Sequence, residues 1–129
     1  KNHMIRFVDT NILVRIMTND VPHLVQEAFS VINQAGNNEL VVTDEVVDEL
    51  LFVLERAKQY NFERSVVVNL FQEVLQIAQF KFSLHVRSAF LLYAKYPKLD
   101  FVDCLLAVKG DMKREKVLTF DIELLKVLE

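Results

Sequence analysis

A chain of 129 residues can build one hydrophobic core, and its 52% apolar and 26% charged residues exclude a disordered or fibrous class. A net charge of −3, with a pI near 5.6, excludes binding to nucleic acid through bulk charge, so any such contact has to be local or cation-assisted. Only two Gly and two Pro are present, too few breakers for a many-turned all-β fold. In chain order, residues 1–3 read as a vector remnant ahead of Met4, and residues 4–129 as a single domain. Ile5-Arg6-Phe7-Val8 predicts a buried first strand that stops at Asp9. A helix is expected from Asn11 to about Asn19, with Ile12, Leu13, Ile16 and Met17 on one side. After Asp20 and Pro22, a second helix runs from His23 to Ala35 and stops at Gly36-Asn37-Asn38. Glu39 to Thr43 predicts a second strand, and Thr43 or Asp44 caps a helix over 45–59. A helix over 63–78, a strand over 80–83 and a helix over 86–96 ending at Pro97 follow. Asp100 caps a helix reaching Arg114, Lys116 to Thr119 predicts a fourth strand, and an amphipathic tail follows Asp121.

Strands alternating with helices predict an α/β class: a three-layer α/β/α arrangement around a mostly parallel sheet of four or five strands. Ligands of such sheets bind beyond the carboxyl ends of the strands. Asp9 and Asp121 each follow a predicted strand, so both are expected on that edge.

Two further acids come from helices. Over 45–59, Val46, Val47, Leu50, Leu51, Val53, Leu54 and Ala57 form the apolar arc, and Glu49 sits at its margin, ~40° from Val53 at ~100° per residue. That margin predicts a half-buried Glu49, with Asp44, Asp48 and Glu55 nearer to solvent. Asp103 shares a face with Leu106, Ala107 and Gly110, whose small residues admit close neighbours, at a helix start where the dipole favours an anion. Gathering several carboxylates costs free energy unless a cation neutralises them. Mg²⁺ or Mn²⁺ suits oxygen ligands, lowers the pKa of a bound water and stabilises charge on a phosphate under attack. That chemistry hydrolyses a phosphodiester with no His or Cys nucleophile.

At this point the chain resembles the PIN-domain family, in particular the toxin ribonucleases of VapBC-type toxin–antitoxin pairs. The resemblance runs from residue 4 to about 126. Phe7-Val8-Asp9-Thr10-Asn11 matches the family's strand-then-DTN signature. Val46 to Leu54 resembles its helix with one functional Glu, here Glu49. Leu99 to Ala107 resembles its third block, with Asp103 as the ligand, and Leu118-Thr119-Phe120-Asp121 its last, with Asp121. The resemblance implies a Mg²⁺- or Mn²⁺-dependent endoribonuclease acting on an RNA substrate, a hydrolase with Asp9, Glu49, Asp103 and Asp121 around the metal. Thr10, Asn11 and Thr119 would orient those carboxylates. It further implies a homodimer and an antitoxin protein partner. Eight residues follow Asp121, where the resemblance leads one to expect a final short edge strand.

Three alternatives stand beside this. A DNA-acting nuclease of the same site type would need an arch or insertion that 129 residues hardly accommodate. A non-catalytic PIN-like module binding RNA or a partner would lack one of the acids. A flavodoxin-like phosphoacceptor regulator would need paired acids after the first strand, where only Asp9 stands. Asp9 and Asp121 also suit helix caps, and Asp100 reads as one. His3, His23 and His85 show no ligand spacing, and Cys104 reads as a small buried hydrophobe. A single Cys forms no internal disulfide and suits a reducing, cytoplasmic location. No apolar run reaches the ~18–20 residues that span a bilayer, so no membrane contact is expected. The apolar rows of 64–78 (Val67, Val68, Leu70, Phe71, Val74, Leu75) suit either a core or a dimer contact. Arg15, Arg56, Lys58, Lys95 and Lys98 are candidates for phosphate contact.

Overall fold

A computed structural model of the chain describes residues 4–129, and the expectation for residues 1–3 lies outside them. Two compact units follow one another along the chain, residues 4–83 and 84–129. No helix of the described residues is long and apolar enough to cross a membrane.

The first unit is a parallel sheet flanked by helices. Its strands are β1 (Arg6–Phe7), β2 (Leu40–Val41) and β3 (Phe80–Lys81), in the order β1-β2-β3 with both pairings parallel. The register places Arg6 opposite Leu40 and Leu40 opposite Phe80. Bonds such as Val8 N–H to the Val41 carbonyl, 2.9 Å, and Val42 N–H to the Lys81 carbonyl, 2.9 Å, carry the ladder one residue past each strand. Helices α1 (Thr10–Thr18), α2 (Pro22–Gln34), α3 (Asp44–Arg56) and α4 (Arg64–Leu75) connect the strands. Each begins near its predicted start. Thr43 caps α3 by accepting from Val46 N–H, and Pro22 opens α2 where its missing N–H costs nothing.

The core of this unit comes from one face of each helix. Leu13, Val14 and Met17 of α1 meet Val47, Leu50, Leu51 and Leu54 of α3 and Val67, Phe71 and Val74 of α4, all buried. The apolar row of α4 therefore belongs to the core, although Val66 beside it is exposed. The expected burial of the first strand is not observed: Ile5 and Phe7, two residues apart and so on one face of the strand, are exposed. Ile12, expected on the inward side of α1, turns outward, and Val14, not expected there, is buried instead.

The second unit pairs α5 (Val86–Lys95) with α6 (Phe101–Lys109) and ends in α7 (Ile122–Val127). Tyr93, Phe101 and Phe90 pack their rings together, with Tyr93 and Phe101 edge to face at 6.0 Å. Helix α6 stops at Lys109 rather than Arg114. Asp111 and Met112 both take left-handed backbone angles, and Met112 N–H bonds to the Ala107 carbonyl.

The predicted fourth strand, 116–119, is not part of a sheet among the described residues. Arg114–Lys116 form a 3-10 turn, and the Arg114 guanidinium and amide bond to carbonyls of Leu125, Leu128 and Glu129. Val117 has extended backbone angles, but a strand needs a hydrogen-bonding neighbour as well. The described sheet thus has three strands where four or five were expected.

Val117 is buried against Gly110, and a Cβ on Gly110 would lie 2.6 Å from Val117 Cγ2 and 3.3 Å from two carbonyl oxygens. Gly110 is the C-cap just past α6, so Ala gains little helix propensity there, whereas overpacking a filled contact costs ~1–3 kcal/mol. The steric loss wins, so Gly110→Ala is expected to lower stability by about 1 kcal/mol in urea titration.

Candidate active site

Asp9 follows β1 and is the N-cap of α1, its Oδ1 accepting from Thr10 N–H at 2.7 Å. This bond reaches the first helical amide, one step short of the usual capping partner. Thr10 is itself buried, and its Oγ1 donates to Glu49 Oε1 at 2.6 Å. The side chain after the strand therefore ties the start of α1 to the middle of α3, with Asp9 held by the Thr10 amide and Glu49 by the Thr10 hydroxyl. Glu49 is exposed rather than half-buried; Asp48, one position earlier, is the more covered of the two. The apolar arc of α3 closes on Val47, Leu50, Leu51 and Leu54, which leaves Glu49 outside its margin.

In the second unit, Asp103 is half-buried in the first turn of α6. Its Oδ2 accepts from Asp100 N–H at 3.1 Å, and the Asp100 side chain returns a bond to the Asp103 amide, a reciprocal capping box. Burial pushes the Asp103 carboxyl above its ordinary value; the charges of Asp121 and Asp100 push the same way, and the Asp100 amide opposes them. Asp121 is thus close enough to be felt electrostatically. It caps α7, its Oδ1 accepting from Glu123 N–H at 2.9 Å and Leu124 N–H at 3.3 Å.

A common pattern emerges across the four acids. Each is gripped by protein donors through a single carboxylate oxygen: Asp9 Oδ1, Glu49 Oε1, Asp103 Oδ2 and Asp121 Oδ1. The other oxygen of each takes no part in these caps and ties. Structural anchoring and ligand binding are therefore not exclusive, because a carboxylate offers about four acceptor positions. Such all-oxygen, anionic donors fit a hard divalent cation better than a soft one. The acids stand as two pairs, one in each unit, and no group of three or more His, Cys, Asp or Glu side chains is gathered for a metal among the described residues.

The expected supporting residues differ in what they do. Thr10 holds Glu49 directly. Thr119 Oγ1 accepts from the Asp121 backbone N–H at 3.0 Å, so it fixes that residue's main chain rather than its carboxylate. Asn11 is exposed on α1 and bonds to none of the four acids. Cys104 is buried, as a small hydrophobe would be. Arg15 is committed elsewhere: it bonds to Asp20 at 3.1 Å and to the Tyr60 hydroxyl, which also donates to Asp20 at 2.8 Å. The Tyr60 bond, with Arg15 assisting, holds the Asp20 carboxyl below its ordinary value. This cluster joins the end of α1 to the loop after α3, and Tyr60 was not legible because nothing in its local sequence marks a partner forty residues away.

A family model described as PIN domain matches residues 6–128. The chain belongs to the PIN-domain family. That match covers both units, and the carboxylate positions of Asp9, Glu49, Asp103 and Asp121 all fall within it. PIN domains have a nuclease-type fold, and are usually metal-dependent nucleases. No curated protein and no solved structure matches the chain.

Proposed function

We propose that this PIN domain is a Mg²⁺- or Mn²⁺-dependent endoribonuclease whose cation ligands are Asp9, Glu49, Asp103 and Asp121. The observation that carries this is the one-sided grip on all four carboxylates, added to family membership. When bound, the cation supplies Lewis-acid stabilisation of phosphate charge and a water acidic enough to act as nucleophile. The protein's part is to hold the acids before the cation arrives. The caps of α1 and α7 fix Asp9 and Asp121 by main-chain donors, the capping box fixes Asp103, and Thr10 fixes Glu49. A side chain already fixed by such donors needs little rearrangement of its own, which is how fixed charge contributes most.

The role we infer is that of a toxin in a toxin–antitoxin pair, a cytoplasmic homodimer restrained by an antitoxin protein. It is supported by the Asp9-Thr10-Asn11 block and the three blocks that follow it in order. The deciding experiment is cleavage of labelled structured RNA and of DNA with Mn²⁺, Mg²⁺ or EDTA. RNA cut only in the presence of metal is the expected result. Metal-independent cutting, or cutting of DNA alone, would remove the proposal.

Thr10→Val tests the tie between the two helices. Valine keeps the shape of the buried threonine and deletes only the donor to Glu49. Loss of a group that orients a metal ligand typically lowers metal affinity or activity ~10–100-fold. Titration of cleavage against Mn²⁺ should show a shift of that size, with the melting temperature nearly unchanged.

A further inference from the structure

Helix α3 carries an aromatic and a guanidinium beside Glu49. Phe52 is 53% exposed, and the Arg56 guanidinium carbon lies 5.4 Å from its ring centroid. An exposed Phe on a helix is ordinary when it stands alone. This one sits three residues after Glu49 and four before Arg56, so the three share one side of the helix. At ~1.5 Å and ~100° per residue, Phe52 lies ~4.5 Å along the axis from Glu49, and Arg56 lies ~10.5 Å away and only ~20° around. Arg56 is the basic residue of the last turn of α3, whose first turn carries Asp44 and Glu45. The helix therefore runs from anionic to cationic along its length, with Glu49 and Phe52 between.

We propose that Phe52 and Arg56 form a stacking subsite for an unpaired RNA base, next to the phosphate handled at Glu49; this rests on the ribonuclease assignment above. A single-stranded nucleotide presents a flat face and an anion together. Aromatic rings and guanidinium planes are the protein groups that stack on bases, and a guanidinium also offers donors to phosphate. A ring and a guanidinium already in contact give a platform whose two surfaces are both suited to a base. In a chain of net charge −3, this local pairing supplies the positive charge that bulk composition does not. Phe52 and Arg56 act here by positioning the substrate, with no part in the chemistry of the phosphate.

The chain contains no tryptophan, so Phe52→Trp introduces a single indole at the platform. In an Asp9→Asn background, titration of a short single-stranded RNA should quench that fluorescence. Phe52→Ala should weaken RNA binding ~10-fold by fluorescence anisotropy, because stacking on an aromatic is lost. Arg56→Lys, which keeps charge without the plane, should fall between Phe52→Ala and the parent. Phe52 is exposed, so circular dichroism and thermal melting should show these variants folded. Absent quenching, or unchanged affinity in Phe52→Ala, overturns the subsite; if wild-type cleavage persists with metal, the ribonuclease assignment survives. A Phe52→Ala change that leaves RNA binding intact but alters oligomeric state marks the ring as a protein contact and overturns it too. No RNA binding by the wild-type chain overturns both proposals.

Discussion

Asp9→Asn should abolish metal-dependent RNA cleavage, by roughly 100-fold or more, while leaving the fold in place. The two halves of that expectation come from different atoms. Asp9 Oδ1 accepts from Thr10 N–H, and the amide oxygen of Asn can do the same. Asn and Asp are also nearly equal as helix caps, so α1 should keep its start. What Asn removes is the negative charge. Stabilising phosphate charge through a cation is worth several kcal/mol, and each ~1.4 kcal/mol is tenfold in rate. Parallel measurements of urea stability and of initial cleavage rate with Mn²⁺ separate the two effects. Equal cleavage by Asp9→Asn would place the chemistry elsewhere. A collapse of stability would show that the negative charge of Asp9, beyond its cap bond, holds the start of α1. Asp9→Ala, by contrast, should damage both, with a loss of ~1 kcal/mol from the missing cap.

How far the sequence carried this description depends on the range of each interaction. Helix starts were readable because their signals are local: Pro22 at a first turn, Thr43 before α3, and Asp100 with Asp103 three residues on. The caps made by Asp9 and Asp121 have the same local origin, whereas Glu49 lies outside the helix margin expected for it. Burial was less readable. Ile5 and Phe7 have the composition of a buried strand, yet their shared face is exposed, and the cover of a sheet face is set by elements distant in sequence. Residues 116–119 were less readable in the same way. They favour extended backbone, but pairing is a property of two segments, and Arg114 anchors this one to the tail instead. Gly110 has a local signal as a site of close approach, but nothing local names Val117 as the neighbour that fills it. Phe52 and Arg56 stand at the i, i+4 spacing of helix neighbours, so their contact has a local sequence signal as well.

Asp103→Asn should raise the stability of the metal-free protein at neutral pH while removing its response to metal. The Asp103 carboxyl titrates above its ordinary value in the folded state, chiefly through burial and then through the charges of Asp121 and Asp100. The folded chain therefore binds more protons than the unfolded chain in the window just above pH 3.8, the ordinary value for Asp. Stability then falls as pH rises through that window. Above it, the ionised Asp103 is a net burden on the apo fold, which an uncharged Asn relieves. Asn also retains an oxygen for Asp100 N–H, so the capping box need not be lost. In EDTA, Asp103→Asn should melt above wild type at pH 7, and the difference should shrink towards pH 4. Adding Mn²⁺ should reverse the order, because a ligand that binds only the folded state stabilises it by ~2.7 kcal/mol at 100 times its Kd. Wild type should gain that increment and Asp103→Asn little of it. A variant that melts lower than wild type in EDTA would mean that the negative charge stabilises the start of α6 more than burial penalises it. A variant that still gains fully from Mn²⁺ would remove Asp103 from the proposed cation ligands.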